Sequence, residues 1–260
     1  MMRITDTVKH LIIINVILWL ATMILLERGI DLVSLLALHF PENPNFRFWQ
    51  PVTSMFMHST ESPAHILFNM ISLWMFGSAL EMRWGKIKFL SFYMITGVGA
   101  GLIHTLVNYY EFHTAQNLLL ESGFSIAQIN ELFQSSYEGF YNILNSNASK
   151  IIDAQAVYNN GISYYVPALG ASGALYGVLV AFGMMYPNTE LMLLFLPIPI
   201  KAKYFIPGLL LLDFIGGVAG GFSLFGAGKI AHFAHLGGAL FGFLLMWYFT
   251  KTQFNKNRWD

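Results

Sequence analysis

Runs of roughly twenty apolar residues, separated by polar connections, constrain this chain more than any motif within it. A helix needs about 20 mostly apolar residues to cross the hydrocarbon core of a bilayer. Six such runs stand near Leu11–Leu26, His65–Leu80, Ile87–Val107, Ala168–Tyr186, Tyr204–Gly221 and Ile230–Thr250. Backbone groups in a bilayer find no water, so a spanning segment must satisfy them internally as a helix. Only 11% of the residues are charged, against about 25% in an ordinary soluble domain. The expected fold is an all-α bundle of six membrane helices, forming one domain over 1–260.

The lysines and arginines set the expected orientation. With a cytoplasmic N-terminus, the inside segments hold Arg3, Lys9, Arg83, Lys86, Lys88, Lys201, Lys203, Lys251, Lys256 and Arg258. The outside segments hold only Arg28, Arg47, Lys150 and Lys229. Both termini are therefore expected inside. No small-residue cleavage site follows the first apolar run, so that run is expected to remain as an anchor. No Arg- and Ser-rich transit segment is visible, and a bacterial plasma (inner) membrane is the expected setting. Formal net charge is zero, which leaves no basic footprint for nucleic acid. Cysteine is absent, which excludes disulfides and thiolate chemistry.

Two outer segments are long. The first, 29–64, contains DLVSLLALHF and an aromatic-rich stretch suited to a membrane interface. The second, 108–166, carries five acidic residues against the single Lys150, and its apolar residues recur at helical spacing. It is expected to be an extramembrane helical insertion between the third and fourth helices; a solvated spacer is the plainer alternative. If it shields the site or binds substrate, deleting it should alter activity.

Reactive groups fall at matched depth near the outer ends of three runs. Ser172 lies in GASGALYG, His235 in AHLGGALFG, and His65 with Asn69 in HILFN. Polar groups in a bilayer are costly and mark function by default. Gly173 and Gly177 on one helix, and Gly238 and Gly242 on another, form small-residue stripes that let helices approach closely. Such a crossing would bring the Ser172 hydroxyl to the His235 imidazole, which could take its proton and later return it. His65 and Asn69, one turn apart, share a face and could join the Ser172 N–H in stabilising an oxyanion. Tyr176, one turn below Ser172, could hold the His235 ring. No suitably placed carboxylate is evident, so a dyad is expected. Each feature also has a packing explanation, since small residues in membrane helices most often serve packing. His232 and His235 are one turn apart, but no HExxH or nearby carboxylate completes a zinc site, and none is expected. His58 is expected to hold loop hydrogen bonds or water, and His104 to face a neighbouring helix. Asp213, mid-span, is expected to be protonated or bonded to a neighbouring helix, with proton transfer the less favoured role.

These motifs together resemble the rhomboid family of intramembrane serine proteases, over about Trp49 to Leu245 without the acidic insertion. The resemblance adds ALEMRWG, in which Glu81, Arg83 and Gly85 match a signature at a helix end. It implies a six-helix core with Ser172 as nucleophile, His235 as general base, and His65 and Asn69 at the oxyanion positions. Gly170 matches the glycine beside the site, Gly238 and Gly242 the close-packing glycines, and Glu81 and Arg83 a structural network at the cytoplasmic end. The chain departs from the family where Gln50 follows Trp49, since many members have arginine there; Arg47 is close by. The implied activity is peptide-bond hydrolysis in or near the spans of single-span membrane proteins, within the lipid bilayer and without a cofactor. The alternatives are a non-catalytic relative that binds membrane clients, and a small transporter using His235 and Asp213 as a proton route.

Overall fold

The computed structural model describes residues 3–193, 196–219 and 232–256. Gly221, Ile230, Lys229 and Arg258, and the side chain of Lys256, lie outside the described residues. The first helix, α1 (Asp6–Leu26), starts at a carboxylate borrowed from elsewhere. Its Thr5 cap makes no side-chain bond to its own helix. Instead Glu81 accepts from Thr5 Oγ1 at 2.5 Å and from the N–H groups of Thr7 and Val8 at 3.0 Å each. This satisfies first-turn donors that no intrahelical carbonyl can reach. Arg83, the other half of the expected network, is exposed and has no hydrogen bond or ion pair among the described residues.

The second helix, α2, runs over Pro63–Trp84 and includes a π-helical turn at Leu73–Gly77. Proline suits a first helical turn because its missing N–H would have no partner there. The helix stops at Gly85, whose φ of +80° is a conformation that side chains disfavour. The next helix, α3 (Lys86–Glu121), then runs unbroken for 36 residues, about 54 Å. The hydrocarbon core is about 30 Å thick, so α3 is long enough to extend well beyond it. No helix boundary falls at 108, where the sequence suggested that the insertion begins.

Beyond α3 come α4 (Ile126–Gln134), α5 (Tyr137–Ser146) and α6 (Ala154–Gly161). Each has a side-chain N-cap: Ser125, Ser136 and Asp153 accept from the N–H groups of Gln128, Gly139 and Ala156. Apolar faces of these helices bury Ile129, Phe133, Phe140 and Val157 against Phe112 of α3 and Phe40 of the first outer segment. Tyr165 Oη donates to the carbonyl of Leu132 at 3.0 Å, and Asn43 Nδ2 to that of Tyr164 at 2.8 Å. The segment is thus a folded unit with its own core.

Next are α7 (Ser172–Met185), a hairpin of β1 (Glu190–Leu193) and β2 (Leu196–Lys201), α8 (Ala202–Ala219) and α9 (His232–Lys256). The hairpin corrects the all-α expectation: Pro197 and Pro199 disfavour a helix, and the β-rich sequence around them pairs antiparallel instead. The start expected at Ala168 is also corrected. Leu38 and Ala168 exchange backbone hydrogen bonds of 2.8 and 2.9 Å, holding that stretch extended, and α7 begins at Ser172 itself.

Among the described residues four helices, α1, α2, α3 and α9, are long and apolar enough to cross a membrane; α7 is apolar but shorter. Each of them exposes large apolar residues, including Ile17, Leu67, Leu106 and Tyr248. The main core lies between α2, α3, α7 and α9 and includes Leu73, Phe92, Ala174, Val178 and Met246.

The first outer segment is tied down by polar groups. Gln50, fully buried, accepts from the His39 N–H at 3.3 Å and donates to the Asn45 carbonyl at 2.8 Å. Arg47 instead bonds the carbonyls of Pro44 and Phe46 in its own turn. The departure from arginine at 50 therefore leaves a neutral amide as the internal anchor of this loop.

Candidate active site

The helices α7 and α9 cross backbone to backbone. A Cβ placed on Gly238 would lie 1.8 Å from the Gly173 carbonyl oxygen, and one on Gly242 2.6 Å from the Gly177 Cα. Only glycine permits this approach. It sets the start of α7 against the first turns of α9, where Ser172 Oγ lies 2.9 Å from His235 Nε2. Tyr176, one turn along α7, stacks on the imidazole with ring centroids 4.2 Å apart and planes 8° from parallel.

A carboxylate also reaches this point, which corrects the expectation of none. Asp213, in the middle of α8, brings Oδ1 within 3.1 Å of His235 Nδ1 and 2.6 Å of His232 Nδ1. The Tyr176 hydroxyl donates to its Oδ2. Three donors on one carboxylate explain how this acid is accommodated inside an apolar bundle. An ionised carboxylate accepts only, so each Nδ1 bonded to it carries hydrogen. In the neutral ring, the Nε2 of His235 is then the lone-pair nitrogen facing the serine hydroxyl. The sequence leads to a bond from Asp213 to a neighbouring helix, which these contacts make, but it does not say which faces of α8 and α9 meet, so it does not place the carboxylate on the imidazole that faces Ser172. The available signal was the cost of a lone mid-span acid, which demands partners on other helices.

His65 lies on the other side of Ser172. A Cβ on Gly170 would meet His65 Nε2 at 3.1 Å and Ser172 Oγ at 3.5 Å, so all three surround one point. Gly170 has φ +129°, and its N–H donates to the Ser54 carbonyl at 2.9 Å. A side chain here would meet both an unfavourable backbone conformation and the His65 ring. The Ser59 N–H donates to His65 Nδ1 at 3.3 Å, which places the ring proton on Nε2, the atom facing the site. Asn69 is buried, and its Nδ2 donates to the His65 carbonyl at 2.8 Å; this bond stays within its own helix. His104 bonds Asn108 on its own helix at 3.1 Å.

His58 packs its ring 5.1 Å from that of His65. It is fully buried, and its ring nitrogens make no hydrogen bond among the described residues. Burial pushes the His58 imidazole down to about 3, with the nearby His65 as a smaller cause. Among the described residues no three side chains are grouped to hold a metal ion.

A helical bundle with spanning-length apolar segments and a serine hydroxyl on an imidazole defines a class of membrane protein. Comparison with known sequences gives the family. The Rhomboid domain model matches residues 45–252. The chain belongs to the rhomboid family, whose members are mostly serine intramembrane proteases, and it is a multi-pass integral membrane protein. It is 32% identical over 158 residues to the presenilin-associated rhomboid-like protein, mitochondrial, of Rattus norvegicus, covering 57% of this chain and 37% of that relative. It is 27% identical over 192 residues to rhomboid protein 1, mitochondrial, of Saccharomyces cerevisiae, covering 72% of this chain and 38% of the relative. Rhomboid protease AarA of Providencia stuartii is 38% identical over 64 residues, 25% of this chain and 22% of the relative. The matched stretches thus span well under half the length of these curated relatives.

Proposed function

We propose that this protein is an intramembrane serine endopeptidase that cuts single-span membrane proteins in or near their spans, using Ser172, His235 and Asp213. The observation that carries the reading is the hydrogen-bonded line from Ser172 Oγ through the His235 ring to Asp213 Oδ1. Serine attacks the scissile carbonyl as His235 Nε2 takes its proton. The resulting imidazolium lies against the Asp213 carboxylate, which stabilises it without accepting the proton. The His65 Nε2–H and the Ser172 N–H, free at the start of α7, are aimed to receive the oxyanion. Asn69 can add its second amide hydrogen. Collapse of the intermediate breaks the C–N bond, and His235 returns the proton to the departing amine. Water, activated by the same nitrogen, then hydrolyses the acyl-enzyme. No cofactor takes part in these steps.

In this reading the bundle makes six crossings, with α7 and α8 joining the four longer helices. Both termini lie on the face richer in lysine and arginine. The unit at 122–166 stands outside the opposite face as part of a single domain. A substrate helix must unwind locally to offer an extended backbone to Ser172, so small or helix-breaking residues should favour cleavage.

A fluorophosphonate probe and a panel of single-span proteins test the reading together. Wild-type protein should label at Ser172 and yield mapped products; Ser172→Ala and His235→Ala should do neither while remaining folded. Cleavage retained in both purified variants would refute the assignment. A folded wild-type protein that neither labels nor cleaves would favour a client-binding relative.

A further inference from the structure

The hairpin between α7 and α8 is apolar in sequence and cationic at its base. Thr189, Glu190, Lys201 and Ala202 close it: Glu190 pairs with Lys201 in register, and the Ala202 N–H donates to the Thr189 carbonyl at 2.9 Å. It emerges at the end of the bundle opposite the site. There Phe182 meets Phe76 of α2 at 4.9 Å, and Trp84 meets Phe249 of α9 at 6.1 Å. Met192 and Ile198 stand 66% and 55% exposed, although both are apolar. The strand β2 contains Pro197 and Pro199, which lack N–H donors, so part of its edge has nothing to lose in a poorly hydrated setting.

Lysines surround this end. Lys203 lies 5.2 Å from the Tyr204 ring, Lys251 3.9 Å from Trp247, and Lys88 4.0 Å from Phe249. Aromatic rings with lysine ammonium groups above them suit the boundary between acyl chains and headgroups. Lys201 and Lys203, both exposed, would meet headgroups directly where the hairpin joins α8.

We propose that the β1–β2 hairpin seats edgewise in the leaflet on this face, with Met192 and Ile198 below the headgroups and Lys201, together with Lys203 of α8, on anionic phospholipid. Charge complementarity selects the occupant: cations gather where the hairpin leaves the bundle, and anionic lipid attracts such clusters. Because β2 passes into α8 without a loop, seating the hairpin also fixes the depth of the helix that carries Asp213.

The cysteine-free chain allows single nitroxide labels at Met192→Cys and Ile198→Cys, with Asn145→Cys on α5 as an aqueous reference. Labelled protein is placed in vesicles of pure phosphatidylcholine, or of equimolar phosphatidylcholine and phosphatidylglycerol. Collision with oxygen should exceed collision with a water-soluble nickel chelate at 192 and 198, and the reverse should hold at 145. Phosphatidylglycerol should deepen both hairpin labels, and Lys201→Gln with Lys203→Gln should remove that difference. Nickel access at 192 and 198 equal to that at 145 would overturn the proposal, as would equal depth in the two lipids. Spin–spin broadening that vanishes on dilution with unlabelled protein would overturn it in favour of a second copy. No outcome depends on catalysis.

Discussion

Replacing Gly238 by alanine probes the crossing on which the site depends. The new Cβ would stand 1.8 Å from the Gly173 carbonyl oxygen and 2.8 Å from its carbon. That obstacle is backbone, so no side chain can swing aside. Reaching ordinary contact requires a separation of about 1.5 Å between the helices. His235 lies one turn from position 238 on α9, and Ser172 is the neighbour of Gly173 on α7. The same displacement would stretch their 2.9 Å bond beyond hydrogen-bonding range. Misplacement by about 1 Å can cost about 100-fold in rate, or about 2.7 kcal/mol of barrier. Overpacking should also lower stability by about 1–3 kcal/mol. The control is Gly208→Ala on α8, where a Cβ meets nothing within 4 Å; there the gain in helix propensity should leave stability equal or slightly raised. Fluorophosphonate labelling rate, cleavage of a single-span substrate and thermal unfolding would be measured for all three proteins. Wild-type labelling and stability in Gly238→Ala would refute the claim that this contact aligns the pair.

Asp213→Asn should lower kcat by about 10²–10⁴-fold in a protein that still folds, because an amide no longer compels a proton onto His235 Nδ1; unchanged single-turnover acylation would contradict that role. Glu81→Ala should cost about 2 kcal/mol or more in thermal unfolding by removing the shared acceptor of Thr5, Thr7 and Val8, and Glu81→Gln, which keeps two acceptor sites, should cost less. His58 stays neutral in the fold with its affinity for protons held down to about 3, whereas the unfolded chain protonates near pH 6.5. Its contribution is therefore complete above about pH 6.5 and is lost as pH falls toward 3, by up to about 1.4 kcal/mol per pH unit. Unfolding profiles of wild type and His58→Gln between pH 7 and 4 should converge toward acid; parallel profiles would rule out a buried neutral imidazole.

Hydropathy and small-residue spacing made much of the scaffold legible. Apolar runs locate the long helices because the cost of unpaired backbone in lipid leaves little alternative. The glycines at 173, 177, 238 and 242 announce a close crossing, since no other side chain fits. Ser172, His235 and His65 stood out because polar groups on such helices need a reason to be there. Boundaries were less legible. The bonds between Leu38 and Ala168 come from a segment 130 residues away in sequence, and they delay α7 until Ser172. In the same way α3 continues to Glu121 because Phe112, Ala115 and Leu119 find a core among the insertion helices.

By itself the sequence determined a helical membrane protein with a serine and a histidine on closely packing spans. Both properties follow from local chemistry, namely the cost of polar groups in lipid and the space a glycine leaves. Only the tertiary structure decided which oxygen and nitrogen atoms meet. Asp213 lies 41 residues from Ser172 and 22 from His235 in the chain, and no periodicity links the three. Its carboxylate reaches the imidazole because α8 and α9 pack with that face inward, and the donors on His232 and Tyr176 then hold it there. A hydrogen bond depends on distance and direction, and these belong to the packed helices rather than to any one segment of chain.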